Sequence, residues 1–337
     1  MPRKTRIDAP GALHHIILKG IERKPIFKDD RDYRNFLGRL GKVLTETSTP
    51  CYAWALMPNH VHLLLRTVLY AIATVMRRVL TGYAQQFNRR HKRHGHLFQN
   101  RYKSFLCEED PYLLELVRYI HLNPLRGGIL RDLGELTGWA RCGHSVLMGR
   151  LKCEWQDTDY VLSLFGKTVS SARRSYASFV AEGASQGRRP ELVGGGLLRS
   201  IGGWSVLRVS RSQGLRLMSD ERILGSSEFV ESVLKRADEE YELKTRAQLE
   251  GPDVDTLIDR ISDYFGIGRE ELRSSRKRRE VCRARGLLCY LSVSRLMMSC
   301  ADMARKLNVT PSSVSKSLVR AQSDSLLSEV EREVFHD

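Results

Sequence analysis

The sequence predicts an α+β fold, an antiparallel sheet with helices packed on it, followed by helical segments and a C-terminal all-α domain. Three observations carry this. Over the first 130 residues, short runs rich in apolar and β-branched residues alternate with stretches whose apolar residues recur at helical spacing. Beyond Leu130 the strand signals give way to Gly-rich connectors around short helices. From about residue 252 every periodic stretch is helical.

In chain order, LHHIILK (13–19) reads as a strand followed by Gly20. The stretch 29–44 begins on Asp caps and carries Phe36, Leu37, Leu40, Val43 and Leu44 on one helical face. CYAWALM (51–57) is a second strand, and Pro58-Asn59 turns it into a third, HVHLLLR (60–66). A helix over roughly 69–91 has Ile72, Val75, Met76, Val79 and Tyr83 on one face. HLFQNRYKSFL (96–106) is expected as a fourth strand, and 110–123 as a helix with Pro111 in its first turn. The order βαββαβ with a trailing helix points to a ferredoxin-like sheet with helices on one face. Helices follow near 157–166, 169–182 and 221–242, the last running into a polar linker. The expected domains are 8–130, a mostly helical extension with linker over 131–245, and 252–325.

Composition narrows the partner. The 337 residues hold 55 Lys+Arg against 39 Asp+Glu, a formal charge of +16. Such a surplus favours a polyanion, because each neutralised phosphate releases a counterion. Seven scattered cysteines with no CxxC pair argue against a zinc finger or a disulfide framework. No run of 18 apolar residues suggests a membrane span. The expectation is a cytoplasmic protein with reduced cysteines and no membrane partner.

His60 and His62 lie two apart in a strand, so both side chains share a face while Val61, Leu63 and Leu65 take the other. Imidazoles about 7 Å apart along one strand can converge on one divalent cation; surface histidines on an edge strand would show the same spacing. Tyr119 and Asn123 stand four apart on a helix, a phenol and an amide on one face. Pro124 is expected to stop that helix and fix the amide in its last turn. On helical pattern alone Tyr119 does not stand out from the core tyrosine that Tyr112 also resembles. His121 falls off the Asn123 face and reads as a flanking or solvent residue. One of His14 and His15 must face the same side of the sheet as His60 and His62.

PNHVHLLL and YIHLNPLRGG together resemble the single-tyrosine HUH transposases, and more closely the REP-associated tyrosine transposases. GxxRKPIFKDDRDYRNFL (20–37), HLFQNRYKS (96–104) and RRPELVGGG (188–196) also fit that family. The resemblance covers 8–130 well and 131–240 loosely. It implies an HUH nuclease core in which Tyr119 is the nucleophile and His60 and His62, with Asn123 as third ligand, hold Mg²⁺ or Mn²⁺. The implied activity is cleavage and rejoining of single-stranded DNA through a 5′-phosphotyrosine link, on hairpin-forming repeats. Asn123 departs from the Gln or His of other HUH enzymes and is the weaker ligand. Relatives act as monomers or as homodimers that exchange the tyrosine helix, and Gly127-Gly128 stands where such a movement would hinge.

Two basic regions complete the reading. NRRHKRHGHLFQNRYK (88–103) interleaves six Lys/Arg with aromatic residues, and Arg101, Tyr102 and Lys103 are candidates for backbone and base contacts. Over 269–285 eight Lys/Arg face three Glu, with Arg276, Lys277, Arg278 and Arg279 at the centre. The stretch 298–322 then reads as helix–turn–helix: Ala301, Ala304 and Leu307 on one helix, Asn308 at the turn, and a second helix capped by Thr310 with Pro311 at N1 and Val314, Leu318 and Val319 buried. This C-terminal segment resembles the DNA-binding domain of the bacterial replication initiator, which implies duplex DNA as partner. Thr310-Pro311-Ser312-Ser313 replaces that family's Asp-His-Ser/Thr-Thr, so its box specificity does not carry over. Ser312, Ser313, Ser315 and Lys316 are the candidate contacts. The resemblance implies a bacterial, nucleoid-associated enzyme; the alternative is a domesticated, non-catalytic DNA-binding regulator.

Overall fold

The computed structural model describes residues 7, 11–68, 70–187, 189, 192, 220–250, 253–274, 278–296 and 298–335. The chain divides into two compact units, 1–237 and 238–337.

The first unit is built on a five-stranded sheet: β1 (Leu13–Lys19), β2 (Cys51–Met57), β3 (His60–Arg66), β4 (Lys103–Cys107) and β5 (Ile223–Leu224), in the order β2-β3-β1-β4-β5. The pairings among β1 to β4 are antiparallel, but β5 runs parallel to β4. The sheet is therefore mixed rather than wholly antiparallel. A parallel partner requires a long crossover, and β5 follows β4 only after more than a hundred residues. β4 is also shorter than the sequence suggested. Asn100 sits at φ +57 and Gly95 at φ +83, left-handed backbone that no strand tolerates, so 96–102 is irregular and only Gly20↔Phe98 bridges it to the sheet.

Alternation along the strands separates two layers. On one face Ile16, Leu18, Trp54, Leu56, Val61, Leu63 and Leu65 are sealed by helices α1 (Asp30–Glu46) and α2 (Ile72–Arg90). Asp29 caps α1 by accepting from the Arg31 and Asp32 amides, which fixes where the buried stripe Phe36, Leu40, Val43, Leu44 begins. On the other face Leu13, Ile17, Ala53, Ala55, Leu64 and Phe105 pack against helix α3 (Glu109–Arg126). After the short helices α4 (Leu133–Gly138) and α5 (His144–Leu147), helices α6 (Thr158–Ser163) and α7 (Val169–Ala184) extend that second layer, burying Tyr176 and Val180 with Leu224 of β5 in the same cluster. Burial of each such side chain contributes about 1.5–3 kcal/mol.

The second unit holds helices Val254–Phe265, Arg269–Arg273, Arg279–Ser294, Cys300–Lys306, Pro311–Ala321 and Leu327–Phe335 around Leu257, Ile261, Leu287, Leu291, Leu307 and Val330. Asn308 takes φ +51 in the turn before Pro311–Ala321. Thr310 accepts from the Ser313 amide, capping that helix. Val314 is buried and Leu318 half-buried, but Val319 is 51% exposed against the expectation of burial. Five residues on from Val314 it lies about 140° around the helix, off the apolar stripe.

Candidate active site

The site forms where α3 crosses the sheet. Antiparallel register sets His62 opposite Ile17 and His60 opposite Lys19, so both histidines face α3 with His15 two residues back along β1. His15 Nε2 lies 3.0 Å from His62 Nδ1, with the rings stacked 5.3 Å apart. The Tyr119 ring stands edge-on to both, 6.0 Å from His15 and 5.9 Å from His62. His60 follows at 5.3 Å from His62, and its Nδ1 meets the Asn59 side-chain oxygen at 2.7 Å. Of the two adjacent histidines in β1, His15 thus belongs to the site; His14 faces the α1/α2 layer and bonds Ser104 at 3.1 Å. The sequence narrowed this to one of the pair, and the register decides it.

Burial governs the charge state of these rings. It pushes the His60 imidazole down to about 4, helped by Lys19, and His62, fully enclosed beside two other imidazoles, falls well below its usual value. Both are neutral near pH 7, the form that presents a lone pair. With a proton on Nδ1 shared toward His15 or Asn59, each Nε2 stays an acceptor, and the second hydrogen bond orients the ring. Among the described residues no cluster of three or more His, Cys, Asp or Glu is arranged to hold a metal ion.

Asn123 sits differently from expectation, because α3 does not stop before Pro124 but runs through it to Arg126. Pro124 has no N–H for the carbonyl four residues back. The Asn123 amide fills in, donating to the Ile120 carbonyl at 3.3 Å and to the Tyr119 carbonyl at 3.2 Å. The helix survives its proline, and Asn123 keeps Oδ1 as the acceptor end of its amide.

Two side-chain anchors hold α3 in place. Glu109 at its start takes both Arg66 of β3 and the Tyr160 hydroxyl of α6. Further along, Arg118 stacks on Phe179 of α7 at 4.0 Å and bonds Glu115 at 2.6 Å. His121 is fully buried rather than solvent-facing, since it points at α7: its Nδ1 and that of His144 flank the Tyr176 hydroxyl at 2.7 and 2.8 Å.

Residues 10–123 match the family described as transposase IS200 like. A solved structure of a REP-associated tyrosine transposase bound to a REP hairpin is 14% identical, covering 47% of this chain and 98% of that one with a TM-score of 0.38. No curated protein matches the sequence.

The matched segment ends at Asn123, yet the surroundings of Tyr119 continue past it. Arg126, two turns after Tyr119, lies 5.3 Å from its ring and donates to the Gly183 carbonyl of α7 at 3.2 Å. Its Nε and Nη1 are buried without a hydrogen-bond partner. Burial disfavours its charge, and Arg118 and Arg189 nearby work the same way. Sequence reasoning missed Arg126, although seven-residue spacing from Tyr119 signals a shared helical face.

The remaining candidates scatter. Lys103 opposes Ile17 of β1, the residue opposite His62 on the other edge, and so shares the face of the site. Arg101 is exposed but precedes the strand, so strand alternation does not align it with Lys103. Tyr102 packs against the α1/α2 cluster instead of standing free for a base. In the second unit Arg278 and Arg279 are exposed, while Arg276 and Lys277 lie outside the described residues. The Ser313 hydroxyl pairs with Thr310 at 2.9 Å and Ser315 donates to the Pro311 carbonyl at 3.1 Å. Lys316 is exposed, and the Ser312 side chain is outside the described atoms. Among the described residues no helix is long and apolar enough to cross a membrane.

Proposed function

We propose that the chain is a DNA strand transferase of the transposase type, with Tyr119 as nucleophile on single-stranded DNA. The observation that carries this reading is Tyr119 standing against the His15–His62 pair, within a segment matching the IS200-like transposase family. The Tyr119 hydroxyl gives up its proton as its oxygen forms a bond to phosphorus, the P–O3′ bond breaks, and the departing 3′ oxygen takes up a proton. A 5′-phosphotyrosine and a 3′-hydroxyl result. Because a phenolate leaves more readily than an alkoxide, a second 3′-hydroxyl can reverse the step without outside energy.

His60 and His62 fit a divalent cation such as Mg²⁺ or Mn²⁺ through their Nε2 atoms, with Asn123 Oδ1 as a weaker third donor. The neutral rings and the hydrogen bonds behind each Nδ1 support that assignment. A bound cation would supply charge stabilisation at the non-bridging phosphate oxygens. Arg126 contributes a fixed positive charge beside the Tyr119 ring, favouring the approach of a phosphate and the departure of a phenolate. Lys103 and Lys19 extend positive potential along the same face. The second unit, with exposed Arg278, Arg279 and Lys316, is read as a duplex-binding module.

The test is incubation of the full chain with hairpin-forming single-stranded DNA and Mn²⁺, resolving covalent adducts on a denaturing gel. The wild type forms an adduct and Tyr119→Phe does not. An equal adduct from Tyr119→Phe removes the nucleophile assignment, and no adduct from the wild type on any single strand removes the reaction.

A further inference from the structure

We propose that the groove between α1 and α2, on the face of the sheet opposite Tyr119, holds one phosphate backbone of a DNA duplex. The inference rests on the DNA strand-transfer reading and extends it, assigning a second site on the catalytic unit for the paired part of the substrate.

Two adjoining hollows of about 900 and 690 Å³ run along these helices, sharing Arg34, Asn35, Arg39 and Gly82. Eight Lys/Arg line them against two carboxylates, Asp32 and Glu46. Those acids are already engaged, Glu46 by Arg78 and Asp32 by Arg90 and His91. Arg31, Arg34, Lys42, Arg77 and Arg89 are exposed and have no ion pair among the described residues. A solvated helix face ordinarily intersperses both signs; here one sign remains unmatched along both walls.

A side chain at Gly38 would meet nothing within 4 Å, and Arg39 lies across Gly82 with its Nε buried and unbonded. From Arg31 to Lys42 the cationic wall extends about 16 Å at 1.5 Å per residue. That equals the axial rise of roughly five base pairs of B-form duplex at 3.4 Å each.

The lining also discriminates between kinds of nucleic acid. Single-strand sites stack bases on exposed rings, whereas the two aromatic residues here, Tyr83 and Phe87, are buried. The groove therefore offers charge to a backbone and nothing to a base, the signature of sequence-independent duplex contact. Beyond α2 in the chain Lys92 and Arg101 are exposed as well, and Lys103 is exposed on the face that carries the site. The stem of a hairpin is assigned to the groove and its single strand to Tyr119.

The test compares the full chain with Arg34→Gln/Lys42→Gln/Arg77→Gln, three exposed positions. Fluorescence anisotropy follows binding of a DNA hairpin and of its stemless strand across salt concentrations. The variant should lose about tenfold or more in affinity for the hairpin. Its log K against log salt slope should fall by about 2 to 3, near 0.9 per lost phosphate contact, while stemless binding and its adduct stay unchanged. An unchanged slope, or equal loss on the stemless strand, overturns the duplex assignment. A larger loss on an RNA hairpin than on the DNA hairpin overturns the choice of DNA. Because the readout is binding, Tyr119→Phe carrying the same groove changes separates this result from failure of the nucleophile assignment.

Discussion

The two faces of one sheet solve opposite problems with neighbouring residues. On the α1/α2 side nearly every inward residue is apolar, and charge is kept to the outer surfaces of the helices. On the α3 side the strands turn His15, His60 and His62 inward, and α3 sets Tyr119 against them, with His121 turned to α7 and Asn123 bonded back to its own helix. Burying so many polar rings costs stability unless each is hydrogen-bonded. That side accordingly shows paired imidazoles, a Tyr176 hydroxyl shared by two histidines and an asparagine repairing a helix. One face is specialised for cohesion, the other for holding polar groups at fixed distances.

The largest separation of the two faces comes from replacing one residue on each. Tyr119→Phe deletes the hydroxyl that would form the link and should abolish covalent adduct formation while the melting temperature barely moves. Phe36→Ala empties a fully buried position beneath α1 and should cost about 3–5 kcal/mol of stability in urea unfolding, with adduct formation per folded molecule preserved. Loss of adduct chemistry from Phe36→Ala at full folding would mean that the faces are not separable.

Acid should find the polar face first. Burial pushes His144 down to about 4 and His121 well below its usual value, so both are neutral when folded. Unfolded histidines bind protons below about 6.5. The stabilising contribution is therefore complete above that pH and is lost progressively as pH falls toward 4. His144 alone accounts for on the order of 3 kcal/mol across this window. Thermal melts between pH 7 and 4 should show His144→Asn with a shallower acid slope than wild type; identical slopes would show that its burial is relieved before unfolding.

Much of this was legible from the chain because it rests on local periodicity. Alternation put His60 and His62 on one face, helical spacing put Tyr119 with Asn123, and caps at Asp29 and Thr310 marked helix starts. What escaped depends on contacts between distant segments. β5 joins the sheet through a two-residue pairing with no periodic signal of its own. The strand at 96–106 shortens because Asn100 adopts left-handed backbone that its neighbours do not announce. Pro124 reads as a stop in isolation, and only the Asn123 side chain reverses that. His121 read as a flanking or solvent residue because α7, which buries it, lies some fifty residues on.

The finest test uses the adjacent pair His14 and His15, one facing each layer. His15 meets His62 through Nε2, so His15→Ala removes the group that orients a proposed metal ligand. The Mn²⁺ concentration giving half-maximal adduct should rise about 10- to 100-fold, the usual effect of losing such a partner. His15→Gln, which carries a polar atom near the Nε2 position, should recover part of it. His14→Ala removes an equally buried ring that bonds Ser104 on the other face, and should lower stability while leaving the Mn²⁺ requirement unchanged. If both alanine variants shift that requirement alike, the effect is general loosening of β1, and the assignment of His15 to His62 fails even though Tyr119 keeps its role.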